Sequence, residues 1–131
     1  MKTLIVEDDF TSRLLLQKFL SSYGECHVAV NGREAVDAFR KAGEGDGRYD
    51  LVCMDILMPQ MDGHAAARRI RSLEQARGVL PSEGAKIIMT TSVADMKQVI
   101  QSFQELCDAY LVKPVDLGAL LNHLKAFKLV Q

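Results

Sequence analysis

The sequence has no tryptophan, only three prolines, and no marked excess of charge of either sign. Sixteen Lys and Arg stand against seventeen Asp and Glu, a formal net charge of −1. A chain that grips nucleic acid through a strongly basic surface is therefore excluded as a first reading. Residues 1–66 carry 7 basic and 11 acidic groups, and residues 67–131 carry 9 and 6. That second-half surplus is too diffuse to form a phosphate-reading patch. No apolar run approaches the roughly 18 residues a membrane span needs. The start, Met1-Lys2-Thr3-Leu4-Ile5-Val6, turns acidic at Glu7 and does not read as a signal peptide.

Cysteine is scarce as well. Cys26, Cys53 and Cys107 are odd in number, lie in or beside apolar stretches, and have spacings that fit no zinc site. They read as reduced, mostly buried thiols of a cytoplasmic protein. His27, His64 and His123 have no histidine partner a helical turn away and read as structural or surface residues. What is present is 131 residues, 48% of them hydrophobic, enough for one domain with a substantial core.

Short apolar runs alternate with longer segments of helical period. Leu4-Ile5-Val6 precedes a helical stripe at 15, 16, 19 and 20, and His27–Val30 precedes Ala35, Ala38, Phe39 and Ala42. Gly43–Gly47 reads as a flexible loop. Leu51–Met54 precedes Ala66, Ile70 and Leu73, and residues 74–85, with Gly78, Pro81 and Gly84, read as a long loop. Ile87–Met89 precedes Met96, Val99, Ile100 and Phe103, and Ala109–Val112 precedes a stripe from Leu117 through Leu120, Leu121 and Leu124 to Phe127. Strands apolar throughout, each followed by a helix, predict a parallel sheet covered on both faces. The expected fold is α/β: (βα)5, doubly wound, strand order 2-1-3-4-5, a flavodoxin-like three-layer sandwich.

In such a sheet the functional crevice lies beyond the carboxyl ends of the strands. Those ends carry Glu7-Asp8-Asp9, Asp55, Thr90-Thr91-Ser92 and Lys113. An aspartate after a strand is ordinarily a cap or a turn residue. Together, however, the carboxylates repel and call for a cation, and oxygen-only ligands select a hard one such as Mg²⁺. With a metal, a hydroxyl and an ammonium around Asp55, a phosphoryl group is the natural guest. A carboxylate there can itself be the nucleophile and form an acyl phosphate.

These residues resemble the response-regulator receiver domain of two-component signalling over essentially the whole chain. The resemblance rests on Ile5–Asp9, on Met54–Gly63 (Asp55-Ile56-Leu57-Met58-Pro59-Gln60-Met61-Asp62-Gly63 above all), on Met89–Ser92, and on Tyr110–Pro114. It implies a phosphoprotein that takes a phosphoryl group on Asp55 from a sensor histidine kinase or a histidine phosphotransfer protein. It implies Mg²⁺ at Glu7, Asp8, Asp55 and the backbone carbonyl of Leu57, with Asp8 a direct ligand and Glu7 acting through a water. Thr91 would be the switch hydroxyl, Lys113 the phosphoryl contact beside a cis bond to Pro114, and Tyr110 the switch aromatic. Thr90 would be the last residue of its strand and Asp9 a helix cap. Phosphorylation would alter the face of the fourth helix, fifth strand and fifth helix, near Met96, Val99, Tyr110 and Val115.

Only 18 residues follow Lys113, so one receiver domain over 1–131 is expected, without an output domain unless the sequence is a fragment of a larger protein. The downstream protein target is unspecified, and a phosphorylation-dependent homodimer is left open. Direct nucleic-acid contact and membrane insertion are not expected. Two other classes compete. A phosphohydrolase using an aspartyl phosphate needs an acid two residues after its nucleophile, where this chain has Leu57. A flavodoxin-like cofactor binder needs a phosphate loop where this chain has Glu7-Asp8-Asp9, which would repel an anion. The chain is thus expected to turn over only its own phosphoryl group and not to act as an enzyme on others.

Overall fold

The computed structural model describes residues 1–45, 47–58, 60–97 and 106–131. Five strands, β1 (Thr3–Val6), β2 (Cys26–Ala29), β3 (Leu51–Asp55), β4 (Lys86–Thr91) and β5 (Ala109–Val112), form one sheet. All neighbouring strands pair in parallel, in the order β2-β1-β3-β4-β5. Helices α1 (Phe10–Leu20), α2 (Gly32–Glu44), α3 (Gly63–Ala76) and a C-terminal helix (Leu117–Ala126) accompany them. The expected fourth helical stripe runs through Val99, Ile100 and Phe103, which lie outside the described residues, as does Pro59.

Each of these four helices begins at an Asx cap that takes over a free amide of the first turn. Asp9 accepts from the Ser12 amide at 2.9 Å, Asn31 from Glu34 at 2.8 Å, and Asp62 from Ala65 at 2.8 Å. Asp116 accepts from Gly118 at 2.8 Å. The reading of Asp9 as a cap therefore holds.

Alternate residues of one strand face opposite layers. Val52 and Met54 pack with Leu4, Ile87 and Met89 against Phe39, Ala66 and Ile70 of α2 and α3. Leu51 and Cys53 pack with Ile5, Ile88 and Leu111 against Leu16 and Leu20 of α1 and Leu120 and Leu124 of the C-terminal helix. The three inner strands are buried along their length, apart from Lys86 at the start of β4. The edges are not: Val28 on β2 is exposed, because nothing pairs beyond it. Burial pushes the Cys53 thiol up to about 12, which keeps it protonated. Cys26 and Cys107 are half-buried, and no cysteine is in a disulfide.

Three local expectations are corrected. Helix α2 runs through Gly43 to Glu44 instead of breaking into a loop. A side chain at Gly43 would collide with the guanidinium of Arg77, which donates to the Arg40 carbonyl at 2.8 Å and packs against the end of α2. Helix α3 continues past 74 to Ala76, because Glu74 is buried, pairs with Arg71 at 2.8 Å and accepts the Ala85 amide at 2.7 Å. Gly78, at φ +73°, then follows the helix end, and Pro81–Glu83 form a short 3₁₀ turn. Strand β4 extends to Thr91, not Thr90, because Thr91 pairs with Val112 and its carbonyl accepts the Lys113 amide at 2.7 Å.

One glycine couples the fold to the crevice. The Gly63 amide donates to the Ile56 carbonyl at 2.8 Å, and a Cβ there would lie 2.6 Å from the Asp55 carbonyl oxygen. Only backbone stands in the way, so neither side can yield cheaply. Gly63→Ala is expected to lower the unfolding free energy by roughly 1–3 kcal/mol. Urea denaturation followed by circular dichroism measures it, and an unchanged midpoint would show that α3 can shift outward at no cost.

Candidate functional site

The carboxyl ends of β1, β3 and β5 bring Glu7, Asp8, Asp55 and Lys113 together. One carboxylate oxygen from each of Glu7, Asp8 and Asp55 lies within 4.8 Å of the others. Glu7 and Asp55 are buried and Asp8 is exposed. Lys113 Nζ reaches Glu7 Oε1 at 2.8 Å and Asp55 Oδ2 at 3.1 Å. The Leu57 amide donates to Asp55 Oδ1 at 3.3 Å. Lys113 is followed by a cis bond to Pro114.

The electrostatics follow from this crowding. Burial raises the Glu7 carboxyl above its ordinary value of 4.5; Lys113 pulls it down, and Asp55 pushes it up again. Burial alone would depress Lys113, but its bonds to Glu7 and Asp55 outweigh that and hold it above 10.5. Lys113 thus bridges two of the three clustered carboxylates, and an oxygen-only set of this kind suits a hard divalent cation.

The remaining expected residues surround this cluster. Thr91 is buried at the end of β4, and its hydroxyl donates to the Ser92 carbonyl at 3.5 Å, a long contact that leaves it available to another acceptor. Ser92 Oγ donates to Asp95 at 2.7 Å and closes a local turn. Tyr110 is half-buried on β5 with its hydroxyl wholly buried. Burial first, and then the neighbouring Cys107 thiol, push that phenol well above its usual range. Leu57 and Val93 stand 67% and 75% exposed, so apolar side chains occupy the loops that follow β3 and β4.

A family model for the response regulator receiver domain matches residues 3–125. The chain belongs to the response-regulator receiver family. As a receiver, it is 32% identical over 120 residues to the regulatory protein AtoC of Escherichia coli, covering 91% of this chain and 23% of that one. It spans between 3% and 49% of six other curated relatives. Among solved structures, it is similar to the co-crystal structure of the Saccharomyces cerevisiae histidine phosphotransfer signalling protein Ypd1 with the receiver domain of its downstream response regulator Ssk1. That match has a TM-score of 0.81 and 28% identity, over 97% of this chain and 88% of the other. The receiver domain of the Arabidopsis thaliana histidine kinase CKI1, complexed with Mg²⁺ and BeF₃⁻, matches with a TM-score of 0.76 and 28% identity, over 97% and 89%. The expected sheet order and flavodoxin-like layering are those of this family. No helix among the described residues is long and apolar enough to cross a membrane.

Two features of this receiver site were not foreseen from the sequence. The direct Lys113–Glu7 bond is one, since Lys113 was expected to face a phosphoryl group. The Arg13 guanidinium is the other: it donates to the Glu7 carbonyl at 3.0 Å from one turn into α1. A strand-end lysine opposite an acidic pair could have signalled the first. The second needs the helix to turn back on the strand, which a linear pattern does not display.

The raised Glu7 value fixes a pH dependence. The folded protein holds the Glu7 proton more tightly than the unfolded chain does, so Glu7 costs stability as pH rises from 4.5 through its folded value. Metal-free wild type should therefore lose more stability across that window than Glu7→Gln. Urea midpoints of both proteins at stepped pH test this, and parallel curves would refute it.

Proposed function

We propose that this receiver accepts a phosphoryl group on Asp55 from a phosphohistidine donor, in an Mg²⁺-dependent reaction, and signals by the change that follows. The observation that carries the reading is the meeting of three carboxylates within 4.8 Å, with Lys113 Nζ 3.1 Å from Asp55. Glu7, Asp8, Asp55 and the Leu57 carbonyl would hold the metal, which supplies charge neutralisation for the incoming phosphoryl oxygens. Asp55 is the aspartate that both joins the carboxylate cluster and touches Lys113. A carboxylate oxygen of Asp55 attacks phosphorus; the O–P bond forms as the N–P bond of the donor breaks, and the imidazole takes the electron pair. Lys113 then trades part of its contact with Asp55 for the new phosphoryl oxygens.

The donor would be a sensor histidine kinase or a histidine phosphotransfer protein in the cytoplasm, and the readout a separate protein target or a second copy of the chain. Thr91, whose present contact is long, would turn its hydroxyl to the phosphoryl group. Tyr110 already buries its hydroxyl, so phosphorylation would stabilise that inward population and with it an altered surface on β5 and the C-terminal helix. We read residues 1–131 as one receiver unit. Leu57 supplies no acid for hydrolysing outside esters.

Asp55→Asn should abolish phosphotransfer from a radiolabelled phosphohistidine donor while leaving the circular dichroism spectrum unchanged. Label recovered on another residue of wild type would overturn the assignment. The lifetime of the acyl phosphate is a separate expectation. Leu57 and Val93 can neither orient nor hydrogen-bond an attacking water. Leu57→Asn combined with Val93→Glu should hasten phosphate release about ten-fold, or about 1.4 kcal/mol of barrier. A release time course in Mg²⁺, without kinase or phosphatase, tests this, and equal half-lives would show that these side chains do not gate the water.

A further inference from the structure

Asp8 has to be aimed by the backbone that carries it, since its own side chain is exposed. That backbone leaves the sheet early. The Glu7 amide still bonds to Ala29 on β2 at 3.0 Å, but the Glu7 carbonyl lies one residue past the end of β1, and its donor is Arg13 Nη1 at 3.0 Å. Fixing this carbonyl fixes the plane of the Glu7–Asp8 peptide, and with it the directions in which both side chains leave the chain. The guanidinium is itself held. Its carbon lies 5.5 Å from the ring centroid of Phe10, a distance at which the ring face attracts a cation. The backbone amide of Arg13 donates to the Asp9 carbonyl at 2.9 Å, anchoring the first turn of α1. Phe10, 66% exposed, gains a purpose by this contact: it is a shelf for the arginine.

We propose that Arg13 is a positioning residue for the divalent cation, acting through the Glu7 carbonyl on the Glu7–Asp8 pair. The inference rests on the Mg²⁺ reading of the carboxylate cluster. Two physical effects of Arg13 oppose each other. Its positive charge near the acids repels a metal ion, so charge alone predicts that removing it tightens binding. Its hydrogen bond preorients the ligands, so positioning predicts that removing it loosens binding. Groups that orient metal ligands from behind commonly matter 10–100-fold in affinity. The geometry favours positioning, because the guanidinium donates to a carbonyl and lies over a ring.

The test is Mg²⁺ titration by isothermal calorimetry on wild type, Arg13→Ala, Arg13→Met and Arg13→Lys, each with a metal-free melting curve. Met keeps the stem length but has neither donor nor charge; Lys keeps both, without the planar fork. Positioning requires Mg²⁺ affinity to fall about ten-fold in Ala and Met, and Lys to recover most of the loss. A melting temperature lowered equally in Met and Lys, with only Met losing Mg²⁺ affinity, would separate positioning from general stability. Tighter binding in Met, or affinities equal across the series, would overturn the proposal. If Ala fails to fold, Met and Lys decide alone. Wild type that takes up no Mg²⁺ would overturn the underlying metal reading, a result distinct from a wild type that binds and variants that match it.

Discussion

The constraint on which this site depends is the repulsion among three carboxylates that the sheet forces into one crevice. Two of them, Glu7 and Asp55, are withdrawn from water, where an unpaired charge is costly. Lys113 answers by bridging both at 2.8 and 3.1 Å. One ammonium does not balance three acids, so the metal-free site keeps an unspent attraction for positive charge. That imbalance turns a stable parallel sheet into a responsive one. A divalent cation would relieve it, and a phosphoryl group on Asp55 would redistribute it.

The surrounding structure confines this instability. The Asx caps at Asp9, Asn31 and Asp62 end the loops soon after β1, β2 and β3. Gly63 lets α3 start against the Asp55 backbone, and the Lys113 amide is tied to Thr91 at 2.7 Å. The charged groups therefore cannot relax by drifting apart. The freedom that remains is in side chains: the long Thr91 hydroxyl contact, and the Tyr110 ring with its buried hydroxyl. A two-state response needs such a division between a fixed frame and a few movable groups.

Much of this was legible in the sequence. Continuous apolar strands such as Leu51–Met54 announced a sheet covered on both faces, and the strand-end acids located the crevice. What the sequence misled on has a common cause. Gly43 looks like loop because glycine is a weak helix former, and residues 74–76 because Gly78, Pro81 and Gly84 follow closely, yet Arg77 and the Glu74–Ala85 bond come from elsewhere in the chain to complete those turns. Tertiary partners overrode local propensity. The Arg13–Glu7 contact was hidden for the same reason, since a side-chain bond to a carbonyl leaves no trace in residue spacing.

The placement of the ion-pair network around Arg71 carries a different implication. Arg71 holds Glu74, the Ala85 and Leu106 carbonyls and Asp108 on the edge of the sheet where β4 and β5 begin, away from the carboxylates. Asp108 in turn accepts the Ile87 amide at 2.8 Å. The segment between Arg77 and Gly84 lies outside this clasp, and a Cβ built at Gly78 would meet nothing within 4 Å. Its length is thereby uncoupled from the register of the sheet. The molecule presents a natural splice point there, where a peptide tag or a fluorescent module could be grafted without transmitting strain to the crevice.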